Sequence, residues 1–457
     1  MTTLRSLFRA QSRGFISLGL ILLLVIGLAA LGGAGWWATR STVISGTDAN
    51  PTSVSTTPIT TSTSSETQYL LFQYNSGSLF KEDPNSMGTP FDSADVGRYM
   101  DSIPLGNNHG DGKTTQLGFT VGPLSLDQTD AEMRTVIQQS FKLAEDKNLA
   151  VAFHIDDSMF WIKRKDLWSD PKNVEWSDWS GTANKQRFVE WASKTTLAPQ
   201  MCYNSTAIKT EVGRIAKDVI GAEIKKGVDH LNTIGKLYLF AGVIADWEPM
   251  LMDNRFLPPE SPLPHVRLGY CALTNLGYSA SNPPADYDVA LEGVVHDFLE
   301  LWAKKLNEGG VSTDRIYTHI FASYVPKDQI QPAINALSKA CNCKATLLTP
   351  YHVKFSTAFN AYSRPGFSTY AGGFLENGVD VRIAPILQEL PKHGSPHWAS
   401  SEGFNLDPGT QKTELTWDKY LGDMFNNGAT IVNLFPVGPN TDEAIQAYKK
   451  FLSGVPL

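Results

Sequence analysis

Two glutamates of this chain stand where carboxylate chemistry would be done. Glu248 closes an apolar run, LYLFAGVIADWEP from Leu237 to Pro249, which is too short for anything but a buried strand. A carboxylate at the C-terminal end of such a strand sits where (β/α)8 barrels assemble their active sites. Glu402, in HWASSEGFN, takes an equivalent position 402 − 248 = 154 residues later, which leaves room for several β/α units between the two. One carboxyl group of such a pair can protonate a leaving oxygen while the other attacks carbon or activates water, which is the chemistry of glycosidic bond cleavage.

Other strand ends supply polar and aromatic candidates. Asp156 and Asp157 follow His154 in LAVAFHIDD. Adjacent strand residues face opposite sides, so only one of the two would enter a cleft, with Asp157 nearer the rim. Trp247 and Trp398 are candidate platforms for stacking on a sugar ring, and Tyr324, Tyr351, Asn405 and Asn433 are candidate hydrogen-bonding groups. Large aromatics also dominate cores, and Ser400, Ser401 and Gly403 around Glu402 read equally well as a turn. The nine histidines show no H-E-x-x-H or comparable spacing, so neither a metal site nor a cofactor is expected. There is no G-x-S-x-G elbow for a serine hydrolase. The net charge of −7 is dispersed, without the basic stripe that nucleic acid requires.

The elements that would position these residues alternate between short apolar strands and helical periodicity, the pattern of a parallel β/α fold. Strands are expected at QYLLFQYN (68–75), QLGFTVGP (116–123), LAVAFHIDD (149–157), the run from Leu237 to Glu248, RIYTHIFAS (315–323), HWASSEGFN (397–405) and ATIVNLFPV (429–437). A sixth strand falls within 345–371, either in ATLLTPYHV or in GFSTYAG. The helix after the second strand should be capped by Thr129 and should bury Leu143 and Ala144. Eight units make a (β/α)8 TIM barrel with long insertions after strands three and four, one rich in Trp and one rich in Pro. An open doubly wound sheet is the runner-up, but the G-x-G-x-x-G phosphate turn that it would want is missing.

Before the barrel, Arg5, Arg9 and Arg13 precede an uncharged stretch from Gly14 to Thr39, long enough to span a bilayer. The positive flank keeps the N-terminus inside and sends the body outward, with a cleaved signal peptide as the alternative reading. The chain thus divides into a cytoplasmic tip and transmembrane helix (1–40), a Ser/Thr-rich tether (41–67) and a catalytic barrel (68–457), with the membrane and a carbohydrate as partners. Cys202 and Cys271 lie in the segments that flank the Glu248 strand and could be bridged if the insertions meet, whereas Cys341 and Cys343 are separated only by Asn342. Asn204 opens an Asn-Ser-Thr sequon.

In its two strand-end glutamates the chain resembles the clan of retaining (β/α)8 glycosidases, and most of all its β-galactosidase-type members. The resemblance implies double displacement, with Glu248 as acid/base and Glu402 as nucleophile. Trp247 stands where that clan usually has the Asn that binds the sugar 2-hydroxyl. Asp246-Trp247-Glu248 is similar to the end of the strand-four motif of the chitinase family, and Phe240 and Gly242 also fit, while Ala241 and Ile244 stand where that family has aspartates. This second likeness implies a substrate-assisted hydrolase in which Asp246 supports an N-acetyl group and Glu402 only binds. A carbohydrate-binding barrel without catalysis is the third reading.

Overall fold

The computed structural model describes residues 66–75, 91–156, 159–185, 187–188, 196–251, 265–322, 353–369, 375–376, 379–380, 383–394, 397–403, 416–434 and 441–457. Eight parallel strands form one sheet: β1 Gln68–Asn75, β2 Thr115–Leu124, β3 Ala150–Ile155, β4 Phe240–Ala245, β5 Ile316–Thr318, β6 Gly366–Ser368, β7 Trp398–Gly403 and β8 Ala429–Leu434. The order runs β5-β4-β3-β2-β1-β8-β7-β6. Parallel bridges from Tyr317 to Arg364 and from Ile320 to Phe367 join β5 to β6, and Ser368 N donates to Ile320 O at 3.0 Å, so the sheet closes into a barrel. Of the two candidates for the sixth strand, the stretch around Gly366 takes the place.

The apolar runs form strands because both of their faces are covered, and all ten residues of β2 are buried. One face looks into the lumen, where Tyr69, Leu71, Ala150, Ala152, Ala241, Tyr317, Ala399 and Ile431 make a cluster of their own, with alanines giving the tyrosines room. The other face packs under the helices. Asp130–Lys147 carries the expected cap: Thr129 and Glu132 satisfy each other's backbone N–H groups, and Leu143 and Ala144 are buried. Thr206–Arg214, a π-helical turn at Ile215–Gly221 and Ala222–Thr233 run on as one helix. At that turn Gly221 lies against Gly309, and a β-carbon on Gly309 would come within 2.6 Å of the Lys217 carbonyl, so the crossing depends on glycine.

At the N-terminal mouth, Glu66 holds two largely buried cations, with Arg364 Nη1 at 2.8 Å and Arg315 Nη1 at 3.5 Å. Removing the carboxylate by Glu66→Ala leaves both guanidinium groups without it, so a loss of about 2 kcal/mol is expected in a denaturant titration. An unchanged midpoint would show that the pairing is screened by water.

The two insertions do meet. Asn204 donates to Ala272 O at 2.9 Å, Asn275 donates to Asn204 Oδ1 at 2.9 Å, and Trp179 meets Tyr270 edge-on at 5.0 Å. Cys202 and Cys271 are buried there as free thiols, and Asn275 Nδ2 lies 3.4 Å from the first sulfur and 4.0 Å from the second. Beside them Glu175 accepts from Cys271 N at 3.2 Å, yet burial pushes its carboxyl up to about 8. A carboxyl raised in the folded state destabilises the fold as pH climbs from its ordinary value of 4.5 to about 8. Glu175→Gln should therefore leave the melting temperature almost unchanged at pH 4 to 5 and raise it relative to wild type by pH 9, to be read by calorimetry across that range.

Among the described residues no helix is long and apolar enough to cross a membrane, and the segment 14–39 lies outside them. Cys341, Cys343, Asp157, Tyr324, Tyr351 and Asn405 also lie outside the described residues.

Candidate active site

The C-terminal mouth of the barrel brings the two glutamates together. One carboxylate oxygen of Glu248, one of Glu402 and a ring nitrogen of His319 all lie within 4.8 Å of one another. Each glutamate reaches this point through a local departure from strand geometry. β4 ends at Ala245, and the chain turns back through two left-handed residues, Asp246 at φ 62° and Glu248 at φ 49°. Such conformations strain non-glycine residues and tend to cluster at functional sites. The turn is held by Asp246 Oδ1, which accepts from Trp247 N at 2.8 Å, and by Glu248 N, which donates to His319 O at 3.2 Å.

In β7 the strand alternation alone would put Glu402 on the same side as Ser400, which faces outward to Thr369, itself bonded to the Tyr420 hydroxyl. A register shift between Ser400 and Glu402 against β6 interrupts that alternation. Ser401 and Glu402 then both serve the interior: Ser401 Oγ donates to Thr318 O at 2.8 Å, and Glu402, with 2% of its surface exposed, joins Glu248.

Beneath the glutamates runs a continuous polar chain across the lumen. Asn433 Nδ2 contacts Ser401 O at 2.8 Å and Gln73 Oε1 at 2.6 Å. Gln73 Oε1 meets His154 Nδ1 at 3.0 Å, His154 Nε2 meets His319 Nδ1 at 3.0 Å, and His319 Nε2 meets Ser368 Oγ at 2.8 Å. The Ser368 hydroxyl makes a short hydrogen bond with Glu248 Oε1. Burial lowers His154 to about 3, opposed by a hydrogen bond to the Asp246 backbone, and burial together with His154 holds His319 well below its usual range, which favours the neutral form of both rings. The two nitrogens of His319 are engaged, one by His154 and one by Ser368.

The remaining sequence candidates divide. Trp247 lies at this mouth, stacked on His154 with ring centroids 4.5 Å apart, and shows 5% of its surface. Trp398, expected as a sugar platform, is completely buried against Phe367 and donates to Asn427 O at 3.0 Å; its position in β7 points it under the helices and not into the mouth. Asp156 is also completely buried and accepts from Met159 N at 3.1 Å. Sequence reasoning passed over Gln73, His319 and Ser368 as site residues. The available signal was a polar residue near the end of each apolar strand, in YLLFQ, AVAFH, IYTH and GFS.

No family model and no curated protein matches the chain. Among solved structures, the catalytic domain of a β-amylase from Paenibacillus polymyxa is similar, with 10% identity over 85% of this chain and 98% of that one and a TM-score of 0.47. A family 1 β-glucosidase from Thermotoga maritima is 8% identical over 82% of this chain and 89% of that one, with a TM-score of 0.36. A 3-keto-D-glucoside 4-epimerase from E. coli is 12% identical over 84% of this chain and 97% of that one, with a TM-score of 0.30. Glycosidases and an epimerase are thus alike at low scores, and the barrel itself already stands on strand order, so the functional argument rests on the site.

Proposed function

We propose that this protein is a retaining glycoside hydrolase in which Glu402 is the nucleophile and Glu248 the general acid/base. The observation that carries the reading is the approach of the two carboxylate oxygens to within 4.8 Å. Retaining enzymes hold their carboxyl groups about 5 to 5.5 Å apart, whereas inverting enzymes leave about 6.5 to 9.5 Å for a water molecule. Glu402 attacks the anomeric carbon as Glu248 gives its proton to the departing oxygen. Glu248 then takes a proton from water, which releases the sugar from Glu402 with its original configuration.

The substrate we propose is a polysaccharide or oligosaccharide outside the cytoplasm. The basic flank and apolar stretch before Thr39 support an anchored body facing outward. Trp247 in place of Asn removes one expected 2-hydroxyl ligand and sets an indole over His154 instead. The chitinase-like alternative needs Asp246 to face the sugar. Asp246 turns Oδ1 to Trp247 N, while Glu402 brings a carboxylate oxygen within 4.8 Å of one of Glu248, which favours Glu402 as the partner. Screening against aryl glycosides and envelope polysaccharides tests the reading. Cleavage confined to 2-acetamido sugars would restore Asp246, and binding without cleavage would leave a carbohydrate-binding barrel.

A further inference from the structure

We infer that Gln73, His154, His319 and Ser368 form a hydrogen-bond chain of fixed polarity, which presents a hydroxyl lone pair to Glu248 and thereby holds that carboxyl group in its acid form. The inference deepens the reading of Glu248 as general acid and rests on it. These four are positioning residues, since the substrate proton resides on Glu248.

The polarity starts from an atom that cannot donate. The carbonyl of Ser401 only accepts, so the atom of Asn433 that faces it at 2.8 Å is the amide nitrogen. The second hydrogen of that nitrogen points to Gln73 at 2.6 Å, which requires the oxygen of the Gln73 amide there. That oxygen also faces His154 Nδ1 at 3.0 Å, so Nδ1 carries a hydrogen. A neutral ring then has a lone pair on Nε2, which accepts from His319 Nδ1 at 3.0 Å. His319, also neutral, keeps a lone pair on Nε2, and the single hydroxyl hydrogen of Ser368 goes to it at 2.8 Å. Glu248 Oε1 is left facing the lone pairs of Ser368 Oγ: an ionised Glu248 would accept from Ser368 across this contact, but with the Ser368 hydrogen given to His319 the bond takes its proton from Glu248.

Ionised Glu248 would claim the Ser368 hydrogen and leave the His319 Nε2 lone pair facing an oxygen lone pair, with His319 completely buried. A mismatched buried polar group of this kind displaces a titration by about one to two pH units. Among the described residues, the titratable groups around Glu248 are His319 just after β5, Glu402 at the end of β7, His154 behind His319, and Asp246 on its own turn. A charged Glu402 acts in the same direction by like-charge repulsion, so the two effects must be separated.

Infrared difference spectra of the full chain across pH read the protonated carboxyl band of Glu248, identified by its loss in Glu248→Gln. Ser368→Ala should move the midpoint of that band down by about one pH unit or more, Ser368→Thr should restore it, and the same displacement should persist in a Glu402→Gln background. A midpoint that Ser368→Ala leaves in place or raises overturns the inference. Nitrogen NMR of histidine-labelled wild type, which needs no variant to fold, should show both His154 and His319 protonated on Nδ1, and an Nε2–H tautomer at either would also overturn it. If the tautomers and the Ser368 effect are found but no glycoside is cleaved, the polarity stands and the hydrolase reading alone fails. Cleavage with a Glu248 midpoint indifferent to Ser368 means the reverse.

Discussion

Glu402→Gln is expected to abolish turnover, lowering kcat by about 10^4-fold or more, because the proposed mechanism has Glu402 form the covalent intermediate. Glutamine matches glutamate in volume, and at 2% exposure the substitution neither opens a cavity nor adds bulk. The melting temperature should therefore stay within a few degrees of wild type while activity disappears. A second readout separates a nucleophile from a binding group. In Glu402→Ala, a small external anion such as azide can enter the vacated space and attack the anomeric carbon of an activated aryl glycoside, giving a glycosyl product of the opposite anomeric configuration. Rescue of this kind supports the assignment. Activity of Glu402→Gln within tenfold of wild type would move Glu402 to a binding role and return Asp246 to consideration.

Glu248→Gln carries the second large effect, and its size should depend on the leaving group. For substrates that depart as ordinary alcohols, loss of general-acid assistance should cost about 10^3-fold in kcat/KM, within the usual range of 10^2 to 10^4. An activated aryl leaving group needs little protonation, so its first step should be much less affected. Hydrolysis of the intermediate still needs a base, and a burst of released phenol followed by slow turnover is expected. The side-chain amide that Glu248→Gln introduces can donate to the Ser368 hydroxyl oxygen as the protonated acid does, so the variant should be at least as stable as wild type at alkaline pH. An equal loss for both substrate types would instead point to a structural role, a real risk at a residue whose φ is 49°.

The barrel was legible in the sequence because its strands are apolar on both faces. QYLLFQYN and ATIVNLFPV announced β1 and β8, and the helix after β2 showed its cap in Thr129. Bounds were less legible: Leu237–Leu239 is a 3-10 turn and β4 begins only at Phe240, since apolar content does not distinguish a strand from the turn that feeds it. The pair Glu248 and Glu402 could be named from strand-end position, but their approach depends on two left-handed residues and a register shift, which no periodicity reveals. Trp398 was misjudged for the same reason, because facing the lumen or the helices is a matter of register. The chain from Gln73 to Ser368 is assembled from four strands, and each member alone resembles an ordinary buried polar residue.

The stereochemistry of hydrolysis tests the central claim most directly. Proton NMR of the anomeric signal, followed from the first minutes of cleavage of whichever glycoside the full chain turns over, should show the sugar released with the configuration of the substrate and only later mutarotating. First appearance of the opposite anomer would contradict double displacement through Glu402 and Glu248, whose carboxylate oxygens lie within 4.8 Å.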